Sequence, residues 1–337
     1  MVKEKIFNLA HLLKSGTLSL FMIHRSIIVF LCLLLCSSLV YGQQDRHFTQ
    51  YMFAKTSVNP GAAGSTGGIC LNGIVRQMWT GFQNADGTNV APESFLLTAD
   101  APFKFVHGAF SLTILQEKLA FWKDISVNLG YTYIGSIGRG DFGAGFQIEF
   151  ENRSIDFSQL NFVDEDDPIK SEEEDSDMLF DFALGFYYEV PDTYYIGVST
   201  FDILESSGKN LREESDFSFN TDRSIYLLGG YNYVLPSNPS YEIKPSAMVH
   251  LTPGAMQLDV SGIVEYQNKF WGGINFRPQE SIGLIAGVMF KKFMIGYSYD
   301  VNISGLKIGG SHEIRLGYCF KLEFDRAIKI YRNTRFL

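Results

Sequence analysis

The stretch Ile125-Ser126-Val127-Asn128-Leu129-Gly130-Tyr131-Thr132-Tyr133 alternates large apolar residues with small or polar ones at every step. Successive side chains of a β-strand point to opposite faces, so this period of two predicts a strand with one apolar and one polar face. The same alternation recurs at 146–151, 180–189, 256–267 and 313–321. Segments of about ten residues with aromatic-rich apolar faces are typical of transmembrane barrels, whereas soluble sandwiches usually have shorter strands. We therefore predict an all-β fold, a single closed antiparallel transmembrane β-barrel of the outer-membrane type.

Turn residues between the alternating segments divide residues 68–324 into about fourteen strands. The predicted strands span 68–80, 92–101, 105–117, 123–136, 140–151, 178–190, 193–203, 222–235, 239–251, 255–267, 268–278, 280–290, 291–300 and 310–324. Every long connection follows an odd-numbered strand. Outer-membrane barrels have short periplasmic turns and longer external loops, so the odd-numbered connections are predicted to face the cell exterior.

The two faces of the strands can be assigned because hydrocarbon does not stabilise charge. A basic residue at mid-membrane costs roughly 2 to 4 kcal/mol. The apolar face, which we predict to meet lipid, includes Phe146, Phe182, Phe186, Leu258 and Leu316. The polar face, which we predict to line the lumen, includes Asn128, Glu149, Asp181, Asp259 and Arg315.

The composition agrees with this fold and argues against other classes. The chain has 337 residues, of which 32 are Gly and 15% are aromatic, and its net charge is −9. An acidic protein without a Lys/Arg stripe lacks the basic footprint that binding to DNA or RNA requires. After residue 42 no apolar run approaches the length of about 18 residues expected of a transmembrane helix.

Residues 1–42 are predicted to be a signal peptide. An apolar run at 27–36 follows Arg25, and small residues then lead to an expected cleavage site after Gly42. Residues 1–21 are interpreted as a mis-called start, because Met22 stands just before this pattern. A lipoprotein is disfavoured because both cysteines of the apolar run follow Leu rather than a small residue. The mature protein is expected in the outer membrane of a diderm, Gram-negative bacterium.

Residues 43–67, between the signal peptide and the first strand, carry turn formers and no sustained alternation. They also carry Tyr51, Met52 and Phe53, and burying such an apolar side chain fully is worth roughly 1.5 to 3 kcal/mol. We therefore predict that 43–64 enter or cover the periplasmic mouth of the barrel as a plug. Residues 325–337 are predicted to form a periplasmic tail.

A second segment outside the barrel rhythm, residues 158–177, is strongly acidic. Its acidic residues are Asp164, Glu165, Asp166, Asp167, Glu172, Glu173, Glu174, Asp175 and Asp177, against the single base Lys170. The order does not fit an EF-hand, since Ile169 stands where Gly is required if Asp164 begins the loop. A solvated external loop is favoured, with loose divalent-cation binding or partner contact as alternatives. External loops 81–91, 152–177 and 204–221 are the surfaces to which a secreted partner is expected to bind.

The sequence contains no convincing pattern for catalysis, for a metal site or for a cofactor. Gly138-Arg139-Gly140-Asp141-Phe142-Gly143 matches a nucleotide-binding glycine pattern, but it opens a strand where such a site needs a helix. Its Arg-Gly-Asp tripeptide suggests adhesion, yet the predicted turn faces the periplasm. Neighbours in Ser311-His312-Glu313 point to opposite strand faces and cannot form one relay. We therefore predict no enzymatic activity and no catalytic, metal-binding or cofactor-binding residues.

Cys70 and Cys319 are the only cysteines after residue 42. A closed barrel pairs its first strand with its last, which brings the start of one next to the end of the other. Both side chains would then point to the lumen near the periplasmic rim, where the exported location permits oxidation. A disulfide requires a register that holds the two Cα atoms within about 7 Å. The alternative is two small lumen-facing residues that never meet.

Several sequence blocks resemble the PorP/SprF family of Bacteroidota. The first blocks are Gln50-Tyr51-Met52-Phe53, Asn59-Pro60-Gly61-Ala62-Ala63-Gly64-Ser65 and Arg76-Gln77-Met78-Trp79-Thr80-Gly81-Phe82. Later blocks are Tyr194-Tyr195-Ile196-Gly197-Val198-Ser199, Ile243-Lys244-Pro245-Ser246, Trp271-Gly272-Gly273, Gly296-Tyr297-Ser298-Tyr299-Asp300 and Ser311-His312-Glu313-Ile314. The candidate plug or interface residues are Tyr51, Met52, Phe53, Asn59, Pro60, Arg76 and Trp79.

This resemblance implies an accessory barrel of type IX secretion. In gliding relatives such barrels are linked to the secretion and surface attachment of a large adhesin through its C-terminal domain. The implied partners are that domain, other type IX secretion components and outer-membrane lipid, with no nucleic acid. Two alternatives from other classes are a diffusion channel or hydrophobic-solute transporter, since about fourteen strands can enclose a usable lumen, and an outer-membrane hydrolase.

Overall fold

The structure is a computed structural model that describes residues 47–84, 87, 89–157, 174–208, 219–305 and 308–321. Almost all of them belong to one compact unit, which takes in 45–253 and 257–337. The expected signal peptide 1–42, the acidic residues 164–173 and the expected tail 325–337 lie outside the described residues. No described helix is both long enough and apolar enough to span a bilayer.

The described chain folds into one antiparallel sheet that closes on itself. Its strands are β1 (Gly68–Gln77), β2 (Glu93–Phe103), β3 (Gly108–Leu119), β4 (Trp122–Ile137), β5 (Gly140–Asp156), β6 (Glu174–Val190), β7 (Tyr194–Phe201), β8 (Ser224–Tyr231), β9 (Tyr233–Val234), β10 (Tyr241–Thr252), β11 (Ala255–Tyr266), β12 (Phe270–Arg277), β13 (Ser281–Phe290), β14 (Phe293–Asn302) and β15 (Ser311–Lys321). Both β8 and β9 pair with β10, so they are two parts of one barrel strand, interrupted at Asn232. Pairing of β1 with β15 and of β10 with β11 closes the sheet. The predicted fourteen-stranded antiparallel barrel is confirmed.

The two faces of the barrel agree with the predicted register. Phe146, Phe186 and Leu316 are exposed on the outer face, and Phe182 and Leu258 share that face with partial exposure. Side chains of the opposite parity are buried inside, including Asn128, Glu149, Asp181, Asp259 and Arg315. Lipid therefore meets the apolar side of each strand, and the polar side faces the lumen.

The wall of the barrel is taller on one side than on the other. Strands β4, β5 and β6 have 16, 17 and 17 residues, whereas β12, β13 and β14 have 8, 10 and 10. Short turns join these strands at the periplasmic end, so the excess of roughly 20 Å along the strands lies on the external side.

Some predicted strand ends are wrong, most of all in the hairpin β5–β6. Predicted strands 140–151 and 178–190 extend further, because Arg153 pairs with Asp177 and Asp156 pairs with Glu174. These positions lie beyond the lipid-facing apolar band, where the outer residues of β5 and β6 are polar. Without apolar residues on the outer face, the alternation by which the membrane-spanning part is recognised is lost.

The seam where the barrel closes carries the two cysteines. In the register of β1 with β15, Cys70 lies directly opposite Cys319, and the two form a disulfide with Cα atoms 4.2 Å apart. The bridge joins residues 249 positions apart in sequence, so it links the first and last strands covalently.

Removal of this bridge should destabilise the barrel without preventing its closure. In the double variant Cys70→Ser/Cys319→Ser we expect the free energy of unfolding to fall by about 2 to 4 kcal/mol, the range usual for a native disulfide. Urea unfolding in detergent, with and without reductant, measures the change.

Reductant should lower the stability of the wild type to that of the double variant and leave the variant unchanged. A wild type that does not respond to reductant would contradict a disulfide at the seam.

Candidate functional site: the occupied lumen

The leader, residues 47–67, lies inside the barrel. It contains three short 3₁₀ turns, Tyr51–Phe53, Lys55–Ser57 and Pro60–Ala62. Its buried residues include Phe48, Thr49, Gln50, Tyr51, Ala54, Thr56, Val58, Asn59, Ala62 and Ala63. The leader runs from Thr49, which contacts residues near the external ends of β1, β14 and β15, down to the periplasmic start of β1.

The external end of the leader is held by a buried group of charges that we call the charged anchor, formed by Arg76, Asp300 and Glu313. The backbone N–H groups of Thr49 and Gln50 donate to the two carboxylate oxygens of Glu313, at 2.8 and 2.9 Å. The hydroxyl of Thr49 donates to Asp300 at 2.6 Å. Side chains from β1, β14 and β15 therefore converge on two consecutive leader residues.

Arg76 supplies the positive charge that this anchor needs. Its guanidinium lies 2.7 Å from the Asp300 carboxylate and 3.0 Å from that of Glu313, and it donates to the Thr49 hydroxyl. All three charged side chains are at most 2% exposed. A buried charge is costly unless it is paired and hydrogen-bonded, so the leader completes the coordination of these carboxylates.

Aromatic side chains hold the middle of the leader. The Tyr51 hydroxyl donates to Ser246 at 3.3 Å. The ring centroids of Phe53 and Trp271 are 5.6 Å apart. The Cζ atom of the Arg315 guanidinium lies 4.2 Å from the centroid of the Phe53 ring. Met52 packs against two clusters of buried apolar side chains, one around Tyr51 and the other around Trp271.

Lys55 extends this contact toward the β6–β7 wall. Its ammonium group lies 3.6 Å from the centroid of the Tyr195 ring and donates to the Tyr187 hydroxyl at 2.9 Å. The Tyr187 hydroxyl in turn donates to Glu189 at 2.7 Å. Burial lowers the pKa of Lys55 to about 8, although nearby Glu189 acts in the opposite direction.

The periplasmic part of the leader is fastened through Asn59-Pro60-Gly61. The Asn59 amide donates to the backbone carbonyls of Phe186 and Val198, and its oxygen accepts from the N–H of Gly61. The Pro60 carbonyl accepts a hydrogen bond from Thr132 at 2.6 Å. Carbonyls of strand residues normally bond within the sheet, so this amide bridges two wall strands from inside the lumen.

A floor of glycines in β5, β6 and β7 lets the leader approach the wall this closely. A Cβ added at Gly143 would collide with the Gly61 carbonyl, and one at Gly145 with the Pro60 backbone. A Cβ at Gly185 would lie 2.8 Å from the Pro60 ring, and one at Gly197 would lie 2.6 Å from the Asn59 amide nitrogen. We call Gly143, Gly145, Gly185 and Gly197 the glycine floor. Any side chain at these positions would occupy the volume of the leader.

The structure brings most of the candidate plug residues together and separates the others. The leader contacts the barrel wall through Tyr51, Met52, Phe53, Asn59 and Pro60. Arg76 binds the external end of the leader. Trp79 lies apart, just beyond the external end of β1. Its backbone N–H donates to the Ser311 hydroxyl, and its ring meets the Phe82 ring edge-on.

The acidic candidates fall largely outside the described residues. Asp164, Glu165, Asp166, Asp167, Glu172 and Glu173 are not among them, and Glu174 and Asp175 are the first two residues of β6. Their backbones pair with Asp156 and Ile155 of β5.

Sequence reasoning missed the partners of the leader. Glu313 and Asp300 have the inward parity of their strands, but nothing in the sequence connects them to Thr49, which lies 264 and 251 positions away respectively. The glycine floor had a visible signal, since Gly143, Gly145, Gly185 and Gly197 all fall within segments of strand character. Gly in a strand interior often marks a close backbone approach.

Comparisons with known proteins agree with this architecture. The family described as type IX secretion system membrane protein PorP/SprF matches residues 40–318. Among solved structures, the Ralstonia pickettii toluene transporter TbuX is 11% identical, with 79% of this chain and 93% of that chain covered and a TM-score of 0.50. The Pseudomonas putida toluene transporter TodX is 10% identical, with 85% and 95% covered and a TM-score of 0.46. No curated protein matches the chain. At 11% identity, the likeness to TbuX indicates the barrel fold alone.

A single methyl group on the glycine floor should unseat the leader. In Gly145→Ala the new Cβ overlaps the Pro60 backbone, and overpacking of this kind typically costs 1 to 3 kcal/mol. We expect trypsin to cleave after Lys55, which the seated leader protects, at least several-fold faster than in the wild type.

Gly262→Ala is the matched control, because an added Cβ there meets no other atom within 4 Å. Equal cleavage rates at Lys55 in the two variants would contradict docking of the leader on the glycine floor.

Loss of the cation in the charged anchor should destabilise the folded barrel. Arg76→Gln leaves Asp300 and Glu313 buried together without their counter-charge, and breaking a buried pair in this way costs about 3 to 5 kcal/mol. Thermal unfolding in detergent measures the loss.

Arg153→Gln is the control, since Arg153 pairs with Asp124 and Glu151 at a partly exposed site and should contribute about 1 kcal/mol or less. An effect of Arg76→Gln no larger than that of Arg153→Gln would refute a central role for the charged anchor.

Proposed function

Since this chain belongs to the PorP/SprF family of type IX secretion system membrane proteins, we propose that it is a non-enzymatic outer-membrane barrel that anchors a secreted adhesin at the cell surface. The partner surface in this proposal is the external rim. The adhesin's C-terminal domain is the bound part, as the family resemblance implies.

The observation that carries the proposal is the occupied lumen. The leader is fixed at the charged anchor, at its aromatic residues and at the glycine floor, through contacts with strands on different sides of the barrel. A transport path through the barrel would require all of these contacts to break together. An anchor needs no such path, because its partner binds outside.

The external ends of β4, β5 and β6, together with residues 202–208 and 219–223, form a folded surface on the tall side of the wall that also supports the proposal. We call this surface the external platform. The Asp181 carboxylate accepts hydrogen bonds from the N–H groups of Leu204 and Ser206, at 2.7 and 3.2 Å, and from the Thr221 hydroxyl at 3.2 Å. The described parts of the connection between β7 and β8, residues 202–208 and 219–223, are therefore fastened to β6 by one inward-facing side chain. Charge-assisted hydrogen bonds to a buried carboxylate are among the stronger ones.

The platform has its own small apolar core. Ile155, Phe157, Leu179 and Phe219 are buried together, with Phe121 and Trp122 packed against them. Packing of these six side chains stabilises the described external ends of β4, β5 and β6 against one another without help from lipid. A surface that is already packed before binding reduces the ordering cost of binding a folded domain.

Release of the platform should weaken the retention of the partner. We expect Asp181→Ala, which removes all three loop contacts, to lower the amount of adhesin that co-purifies with the full chain from the native outer membrane by several-fold. Mass spectrometry of the co-purified chains identifies and quantifies the partner. The difference in electrophoretic mobility between unheated and heated samples checks that the barrel is folded.

Asp141→Ala is the matched control, because Asp141 lies next to a periplasmic turn and accepts a hydrogen bond from Ser136. Unchanged retention in Asp181→Ala would move the partner surface away from the platform. Single-channel recording of the wild type tests the competing function: a steady open pore with no co-purified adhesin would overturn anchoring in favour of a diffusion channel.

A further inference from the structure

Two lysines stand side by side on the outer surface of the β3–β4 hairpin. Lys118 lies directly opposite Lys123 in the strand register, and both side chains are exposed on the outward face. Like charges directly opposite each other on a sheet are destabilising. Within the described part of the chain, neither ammonium group forms an ion pair or a hydrogen bond.

The same hairpin also carries a pair of like charges on its inner face. One position from the lysines, Glu117 lies opposite Asp124 on the inner face. Arg153 of the next strand lies 3.4 Å from the Asp124 carboxylate and 2.8 Å from that of Glu151. Asp124 of the inner pair therefore has a cation from the protein, and Glu117 accepts a hydrogen bond from Ser94, whereas the outer lysines face away from the barrel interior. Among the described residues of the same cross-strand row, the one acid is Glu93, which lies opposite Lys118. On the other side of the pair, Ser154 lies opposite Lys123 and is followed by Ser176.

The lysines lie at the external edge of the apolar band. Outward residues of β4 are apolar or aromatic from Tyr133 to Ile125, and Lys123 is the next outward residue. Successive outward residues are about 7 Å apart along a strand, so the ammonium groups lie one step above the hydrocarbon. Long basic side chains extend to the polar region at such positions. The tight turn at Ala120 and Phe121 fixes the hairpin two residues beyond the pair.

We propose that Lys118 and Lys123 together bind the phosphate of an anionic lipid headgroup in the external leaflet. A phosphate between the two ammonium groups would relieve their repulsion and accept hydrogen bonds from both. Lys is a common phosphate ligand as a compact point charge, and basic clusters at the membrane edge recognise anionic headgroups. The site lies on the lipid-facing side of the tall wall, so a bound lipid would brace the base of the external platform.

Binding of lipid A to the purified full-length barrel in detergent tests this site by native mass spectrometry. We expect the wild type to bind bisphosphorylated lipid A on the order of tenfold more tightly than Lys118→Gln/Lys123→Gln, because the variant lacks both positive charges that attract the anionic headgroup. Lipid A from which the phosphates have been removed should bind the two proteins equally.

The double variant Lys291→Gln/Lys292→Gln, on the periplasmic turn between β13 and β14, is the matched control and should bind lipid A as the wild type does. Equal affinity of the wild type and Lys118→Gln/Lys123→Gln for lipid A would overturn the proposal. Inorganic phosphate that competes with lipid A at equal concentration would assign a free-anion site instead. If lipid A distinguished Lys118 and Lys123 from glutamine only after residues 158–173 were deleted, the chain's own acidic segment would be the ligand of the lysines. This result too would refute the lipid site.

Discussion

Hydrocarbon cannot satisfy a backbone hydrogen bond, and this constraint determines the rest of the molecule. Every strand that crosses the membrane must be paired on both edges, so the sheet has to close. Closure of fourteen strands produces an interior wider than wall side chains alone fill, because the barrel diameter grows with strand number. The polar face of each strand then surrounds a space that must contain water or protein. In this chain the residues just before the first strand occupy it.

The leader is held in that space by interactions that suit a polar interior. Its own N–H groups coordinate Glu313, its Asn59 amide bonds to wall carbonyls, and its backbone lies against the glycine floor. These contacts depend on backbone groups as much as on apolar area. Buried polar groups need hydrogen-bond partners, so a segment that enters a lumen lined with charges has to replace water in that role.

The alternation at 125–133 and its repeats predicted the fold and the face of each strand, because both depend on a local period of two. The assignment of the external side depends on loop length and stays a prediction. The ends of β5 and β6 could not be predicted in this way, since above the lipid the outer face of these strands is no longer apolar. The charged anchor was equally hidden. Inward parity marks Glu313 as lining the lumen, but its contact with Thr49 joins opposite ends of the chain and has no local signal. The tyrosine and phenylalanine of the leader were recognisable as residues in need of burial, whereas their neighbours in the lumen were not.

The charges inside the barrel distinguish a packed interior from a conducting one. A selective pore presents rings of like charge or polar groups to the passing solute. Here Arg76 is shared between Asp300 and Glu313, and Arg277 lies 2.8 Å from both Asp259 and Glu280. The Arg315 guanidinium lies over the ring of Phe53, which belongs to the leader. The carboxylates of these groups are thus bound to protein cations or to leader N–H groups rather than presented to a path. Because the interior has the chemistry of a core, the surfaces left for recognition are the two rims and the lipid-facing wall, and the external rim is the one that the fold extends furthest.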